Sequence, residues 1–251
     1  MKTRIAAFVA ALLFCAPALA APEAFPDGFN NLPSTHWMRG RDALAVPYPA
    51  RWACWFDDFT KYTAGDWVIT TTEAGGGDAT EALSDADRGI LLITNDSNDN
   101  DLDFFQTVAE MFDPVAGSEM YFEARLAVND ATQTDFFIGF GERDTTPLTT
   151  DDFMGFWKDD DDALLDFHSE SDGVQSSSTA LHTVVADTYI TVAFYYTGSQ
   201  FLVAVDNVLV ATTAAVTPSD EELTVSFGIQ NGTGAAKTMS VDYIWACKER
   251  P

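Results

Sequence analysis

Basic side chains are scarce in this 251-residue chain, where 13 Lys and Arg stand against 39 Asp and Glu for a formal net charge of -26. Between Gly89 and Ala236 three basic residues, Arg125, Arg143 and Lys158, meet twenty-six acidic ones. Neutralising phosphates takes a basic face, so nucleic acid is excluded as a partner, and an anionic membrane surface with it. Cysteine and histidine are equally sparse, at three each. His36, His168 and His182 are scattered and form no ligand pair, and the cysteines lack zinc-site spacing. The apolar run Ile5 to Phe14 is about ten residues, short of the roughly 20 that a membrane-spanning helix needs. No stretch carries a convincing helical period; at most Ser219 to Glu222 and Thr149 to Phe153 make single turns.

What is present is apolar mass and turn chemistry. Hydrophobic residues make up 47% of the chain and aromatics 13%, enough for a sizeable core. Asp outnumbers Glu 28 to 11, and Asp favours turns and caps where Glu favours helix interiors. Three regions follow. Residues 1–20 read as an export signal, with Lys2 and Arg4 before the apolar run and Ala18-Leu19-Ala20 at its end. Phe14 before Cys15 argues against lipid anchoring. Residues 21–51 form an extended arm, broken by Pro22, Pro26, Pro33, Pro47 and Pro49 and carrying Trp37. Residues 52–251 form one β domain.

In that domain short alternating segments are separated by Gly, Asn and Asp clusters. Tyr121 to Val128 puts Phe122, Ala124, Leu126 and Val128 on one face and Glu123 and Arg125 on the other, the period of a half-buried strand. Similar runs are Trp67–Thr72, Gly89–Thr94, Asp135–Phe140, Phe153–Lys158, Leu164–Glu170, Tyr189–Tyr196, Phe201–Val205, Val208–Thr212, Leu223–Gln230 and Thr238–Ala246. Asp206-Asn207 between two Val-rich strands signals a hairpin. More than ten strands without helices imply an all-β fold, a two-sheet antiparallel jelly-roll sandwich behind an irregular N-terminal arm.

Three groups of residues are candidates for chemistry. Asp96, Asp99, Asp101 and Asp103, with Asn98 and Asn100 between them, offer alternating oxygens that suit Ca²⁺, although the helix-loop-helix pattern fails at Asp101 and Thr107; a solvated loop is the alternative. Asp159 to Asp162 read as a solvated turn. Asp166, His168 and Glu170 share one strand face, but they match neither the order nor the spacing of the Glu-x-Asp-x-x-Glu strand of jelly-roll glucanases, and Glu119 with Glu123 lacks the central Asp. No catalytic residue is therefore assigned. Trp52, Trp55, Trp67, Trp157 and Trp245 would stack on sugars in a lectin, whereas core packing is the default use of strand tryptophans.

Several segments resemble the concanavalin A-like (LamG/jelly-roll) superfamily: Trp55-Phe-Asp-Asp-Phe59 with Gly65-Asp-Trp67, Val203-Ala-Val-Asp-Asn-Val-Leu-Val210, and Val241-Asp-Tyr-Ile244. The chain is most similar to members found among tailed-bacteriophage virion proteins. Phe25-Pro-Asp-Gly-Phe-Asn-Asn31, Asn129 to Phe136, Asp144-Thr-Thr-Pro-Leu148, Leu165-Asp-Phe-His168 and Asp220 to Gly232 carry that likeness, in order, over Phe25 to Arg250. It implies a non-enzymatic virion structural protein, a capsid decoration or cement protein, homo-oligomeric or shell-bound. Its partners would be capsid or other virion proteins and surface glycans, with no cofactor beyond Ca²⁺. The signal-like residues 1–20 depart from that group, since a virion protein assembled in the cytoplasm needs no export. A secreted or periplasmic carbohydrate-binding domain is the rival, and a glycoside hydrolase the third reading. If the first and last strands of such a sandwich pair antiparallel, Cys54 and Cys247 become neighbours, within the ~4.4–6.8 Å between Cα atoms that a disulfide needs.

Overall fold

The computed structural model describes residues 49–84 and 89–250. The signal-like residues 1–20 and most of the arm, Trp37 included, lie outside the described residues. Fifteen strands follow one another in the described residues: β1 (Trp52–Asp57), β2 (Trp67–Thr72), β3 (Thr80–Leu83), β4 (Leu91–Thr94), β5 (Leu102–Thr107), β6 (Met120–Val128), β7 (Thr134–Gly141), β8 (Phe153–Lys158), β9 (Leu164–Ser171), β10 (Val174–Thr183), β11 (Ile190–Tyr196), β12 (Gln200–Val205), β13 (Val208–Ala214), β14 (Thr224–Asn231) and β15 (Thr238–Glu249). The only helical turn among them is a 3-10 turn at Ala64–Asp66, not at the two places the sequence suggested. In the described residues no helix is long and apolar enough to cross a membrane.

The strands form two antiparallel sheets. The eight-stranded sheet runs β13-β12-β11-β6-β15-β4-β3, with β1 also on β15; the seven-stranded sheet runs β10-β9-β8-β7-β14-β5-β2. Strand β15 is long enough to take two partners on one side. Its Thr238–Val241 half pairs with β4 and its Ile244–Glu249 half with β1. The antiparallel sandwich expected from the alternation is therefore present. The β12–β13 hairpin turns at Asp206 and Asn207 with φ of 48° and 63°, the left-handed pair that a two-residue hairpin loop requires.

Between the sheets lies an aromatic core. Phe122 of β6 stacks on Phe194 of β11 with ring centroids 5.5 Å apart, Phe105 of β5 on Phe227 of β14 at 5.2 Å, and Trp67 meets Phe227 edge-on at 5.2 Å. Each such pair adds about 0.5–1.5 kcal/mol to its area burial. The alternation read at Tyr121–Val128 is the consequence: Phe122, Ala124, Leu126 and Val128 sit in this core, while Glu123 and Arg125 turn outward.

A second, smaller apolar cluster lies on the outer face of the seven-stranded sheet, where Leu102, Phe104, Phe137 and Phe153 are buried under Leu148 of the β7–β8 loop. That loop is held down by polar contacts at its base. Gln106 Nε2 donates to the Glu142 carbonyl at 2.6 Å, and the Asp144 N–H donates back to Gln106 Oε1 at 3.2 Å. The Glu142 N–H closes the loop onto the Asp152 carbonyl at 3.0 Å. This covered patch makes one wall of the site described next.

Candidate functional site

Strands β8 and β9 position the site. Met154 and Phe156 point into the core, so Phe153, Gly155 and Trp157 must point outward; likewise Leu165 and Phe167 point inward and Asp166, His168 and Glu170 outward. The register sets Trp157 opposite Asp166, Gly155 opposite His168 and Phe153 opposite Glu170. Gly155 brings no side chain to its row, and the Trp157 indole stacks on the His168 imidazole, with centroids 6.2 Å apart and planes 10° from parallel. Leu148 to Asp151 of the β7–β8 loop and Gln175 of β10 close the sides of an open cleft of about 320 Å³, with Asp159 at the edge.

Polar groups in this cleft have defined partners. Gln175 Nε2 donates to Glu170 Oε2 at 3.0 Å and lies 3.4 Å from His168 Nδ1. Trp157 Nε1 donates to Asp159 Oδ1 at 2.6 Å. Asp166 Oδ1 accepts the Ala180 N–H at 2.7 Å, a donor turned toward it by an irregularity in β10 where Ala180 has φ 55°. The other Asp166 oxygen lies 3.5 Å from His168 Nε2. Burial raises the Glu170 pKa, and the negative charges of Asp151 and Asp152 add to the rise against the Gln175 hydrogen bond. The cleft thus pairs an aromatic floor with carboxylate, amide and imidazole groups at its sides.

The tryptophans split by position. Trp67 is in the inter-sheet core, Trp55 packs against it, and Trp52 is buried on the outside of the eight-stranded sheet with Trp245 beside it. Trp157 faces outward on its strand and packs, partly buried, against the outer cluster of Leu102, Phe104, Phe137 and Phe153, with its ring centroid 5.5 Å from that of Phe153. Glu119 and Glu123 share no such cleft: Glu119 pairs with Arg51 at 3.2 Å, and Glu123 accepts the Tyr243 hydroxyl at 2.7 Å.

Of the four aspartates considered for Ca²⁺, Asp96 and Asp101 come together, and Glu73 from the β2–β3 loop joins them; their ligand oxygens lie within 4.8 Å of one another. Asp99 is exposed. Asp103 lies in strand β5 rather than in a loop, wholly buried, with Oδ1 accepting the Thr71 hydroxyl at 3.0 Å. Burial and the charges of Glu81 and Glu73 push its pKa up to about 7. Asp101, also buried, goes the other way: burial would raise it, but a hydrogen bond shared with Asp96 and the N–H groups of Ala74 and Asn98 hold it below the ordinary value. Glu73 escaped the sequence reading, although three consecutive glycines after an acid, Gly75 to Gly77, are the kind of stretch that lets backbone approach a ligand.

At the far side of the eight-stranded sheet Cys54 of β1 and Cys247 of β15 are directly opposite in register and joined by a disulfide, with Cα atoms 4.1 Å apart. That is closer than the expected range, because the two residues face each other squarely across a strand pair.

No family model matches the chain, and no curated protein matches it by sequence. Solved structures do match its fold. A protein of unknown function from Shewanella oneidensis aligns with TM-score 0.58 and 14% identity, over 80% of this chain and 87% of its own. An endo-1,3-beta-glucanase from Streptomyces sioyaensis aligns at 0.56 and 16%, over 80% and 97%. Peanut lectin aligns at 0.52 and 13%, over 78% and 97%. These likenesses show the fold, a two-sheet antiparallel jelly-roll sandwich. They also correct the expectation of a non-enzymatic protein, which rested on a missing glucanase motif and on the likeness to virion proteins. Endo-glucanases share this architecture over most of the chain, so one absent strand motif is no ground for setting enzymes aside.

Proposed function

We propose that the chain binds a neutral glycan in the cleft over β8 and β9, with Trp157 as the stacking platform and Glu170, Gln175 and His168 as hydrogen-bonding groups. A sugar ring offers an apolar C–H face and a rim of hydroxyls, and a site for it combines an aromatic plane with a few polar groups at its edges. The observation that carries the reading is the outward Trp157 indole, stacked beside His168 in an open cleft with Glu170 and Gln175 at its side. The fold shared with a glucanase and a lectin supports it. Asp151, Asp159, Asp166 and Glu170 around the cleft disfavour an anionic polysaccharide by like-charge repulsion.

The test is a glycan array followed by titration calorimetry with the neutral glycans that score, alongside a reducing-end assay on the same glycans. Saturable binding to a neutral glycan supports the reading, and release of reducing ends would add cleavage to it. No binding to any neutral glycan, or tighter binding to uronate-rich ones, overturns it.

A secreted or periplasmic setting is part of this proposal, and the Cys54–Cys247 disulfide supports an oxidising compartment. The narrower setting on a bacteriophage virion, with glycan or shell contacts, has only the motif order between Phe25 and Arg250 behind it. Fractionation decides between them: protein in the periplasm or medium supports the first, and protein confined to purified particles supports the second.

A further inference from the structure

Strand β15 changes partners part-way along one side. β4 pairs with it from Thr238 to Val241 and β1 from Ile244 to Glu249, so Asp242 and Tyr243 between them have no partner strand on that side. On the other side the ladder with β6 shifts register between Val241 and Tyr243, an irregularity of the kind that bends a strand and re-aims a side chain. The break opens a cavity of about 350 Å³ on the outside of the eight-stranded sheet, lined by Phe56, Asp58 and Thr60 at and after the end of β1, Arg125 of β6, and Asp242 and Tyr243 of β15. That volume lies within the range of about 300–1,000 Å³ common for ligand sites.

The lining combines two rings with a fixed ion pair. Phe56 is 59% exposed, and its ring lies 6.4 Å from that of Tyr243, tilted by 32°. The Tyr243 hydroxyl donates to Glu123 at 2.7 Å, so what this residue offers the cavity is its ring. Arg125 is held from two sides: Nη1 donates to Asp242 Oδ2, and the guanidinium lies over the Tyr189 ring, 4.3 Å from its centroid. The hydrogen bond to Asp242 uses one of five guanidinium donors, and the Arg125 side chain stays 33% exposed. Gly89, before β4, closes the floor. A Cβ there would fall 2.1 Å from the Phe59 carbonyl carbon and 2.2 Å from the Asp58 carbonyl oxygen, so only glycine lets these two segments meet.

We propose that this cavity is a second binding site, for a neutral sugar, on the opposite face of the sandwich from the cleft over β8 and β9 and independent of it. The exposed Phe56 ring stacks against the apolar C–H face of a pyranose, and the Arg125–Asp242 pair sets a donor beside an acceptor, which two adjacent ring hydroxyls match. Asp58 and Asp242 outnumber Arg125, so the lining is net negative and an anionic sugar is disfavoured. With a site on each face, one molecule can hold a polysaccharide at two points or bring two strands together.

The experiment is titration of the ¹⁵N-labelled full chain with glucose, galactose, mannose and N-acetylglucosamine, followed by amide shifts in two-dimensional spectra. The expected result is a saturable shift of the Phe56, Thr60, Gly89 and Tyr243 amides with at least one of the four. Phe56→Ala, at an exposed position that the fold does not need, should weaken this binding about tenfold. Failure of the cleft reading shows separately, in the Trp157 indole N–H, which does not report on this site. No saturable shift at the four amides with any of the sugars overturns the proposal, and so does unchanged affinity in Phe56→Ala. Tighter binding of glucuronate than of glucose overturns it by making the site one for anions. Shifts of the same amides on diluting the sugar-free protein also overturn it, since a second copy of the chain would then cover the cavity.

Discussion

The Trp157 indole and the His168 imidazole lie almost parallel on neighbouring strands, 6.2 Å between centroids, on the outside of the seven-stranded sheet. Aromatic rings in a β-sandwich ordinarily serve the core, and here one is held outward by strand parity while Gly155 adds no side chain opposite His168. If the pair is a platform for a sugar ring, Trp157→Ala lowers glycan affinity by about tenfold or more, whereas Trp157→Phe keeps part of it. Titration calorimetry against the glycan found by array measures both. Unchanged affinity in Trp157→Ala would remove this ring from the binding site.

The disulfide closes a span of 193 residues between the first and last strands. Cross-linking so distant a pair restricts the unfolded chain, and its loss is expected to cost about 2–5 kcal/mol. Cys54→Ala/Cys247→Ala should therefore melt below the original protein, and reductant should lower the original protein to the same Tm. Calorimetric melting with and without dithiothreitol gives the comparison.

Lys237, itself buried, donates to Asp130 at 2.6 Å. Burial alone would raise the Asp130 pKa; the Lys237 ammonium and the N–H groups of Thr132 and Gln133 outweigh it and hold the group at about 2. A depressed folded pKa gives stability that is present above the unfolded value of 3.8 and lost as pH falls toward 2. Allowing for partial exposure, the contribution is about 1 kcal/mol. Lys237→Met should reduce this part of the acid sensitivity, leaving what the Thr132 and Gln133 N–H groups supply, and destabilise at pH 7 by about 1–3 kcal/mol, since Asp130 loses its charged partner. Denaturant melts across pH 2 to 7 read both effects.

Asp135 carries the opposite sign. Burial raises its pKa to about 6, helped by the charges of Asp160 and Asp159 and opposed by a hydrogen bond from the Asp160 N–H. The folded state then binds more protons than the unfolded one between 3.8 and about 6, so stability falls as pH climbs through that window. Asp135→Asn, whose amide oxygen still accepts the Asp160 N–H, should gain about 1–2 kcal/mol at pH 7 and nothing below about pH 4. Chemical denaturation at the two pH values checks the sign.

Strands were legible where one face meets the core and the other meets water, as at Phe122, Ala124 and Leu126 against Glu123 and Arg125. They were not where that contrast fails. Strand β5, Leu102–Thr107, is buried on both faces because the β7–β8 loop covers its outer side, so it shows no alternation. The mostly exposed β10, rich in Ser and Thr, shows none for the opposite reason. Asp96 and Asp101 could be nominated from their spacing, but Glu73 joins them only because the glycines of its loop allow two loops to touch.

By itself the sequence determined the class of the molecule: an acidic chain, poor in basic residues and helix periods, whose two-residue alternation implies two packed sheets. Which residues meet was decided by strand register. Trp157 stands beside His168, and Cys54 faces Cys247 across 193 residues, because hydrogen-bonded pairing joins segments that no local pattern relates. A shift of one residue would turn every one of these side chains to the other face, and only the packed core, by rejecting the charged face, holds the register in place.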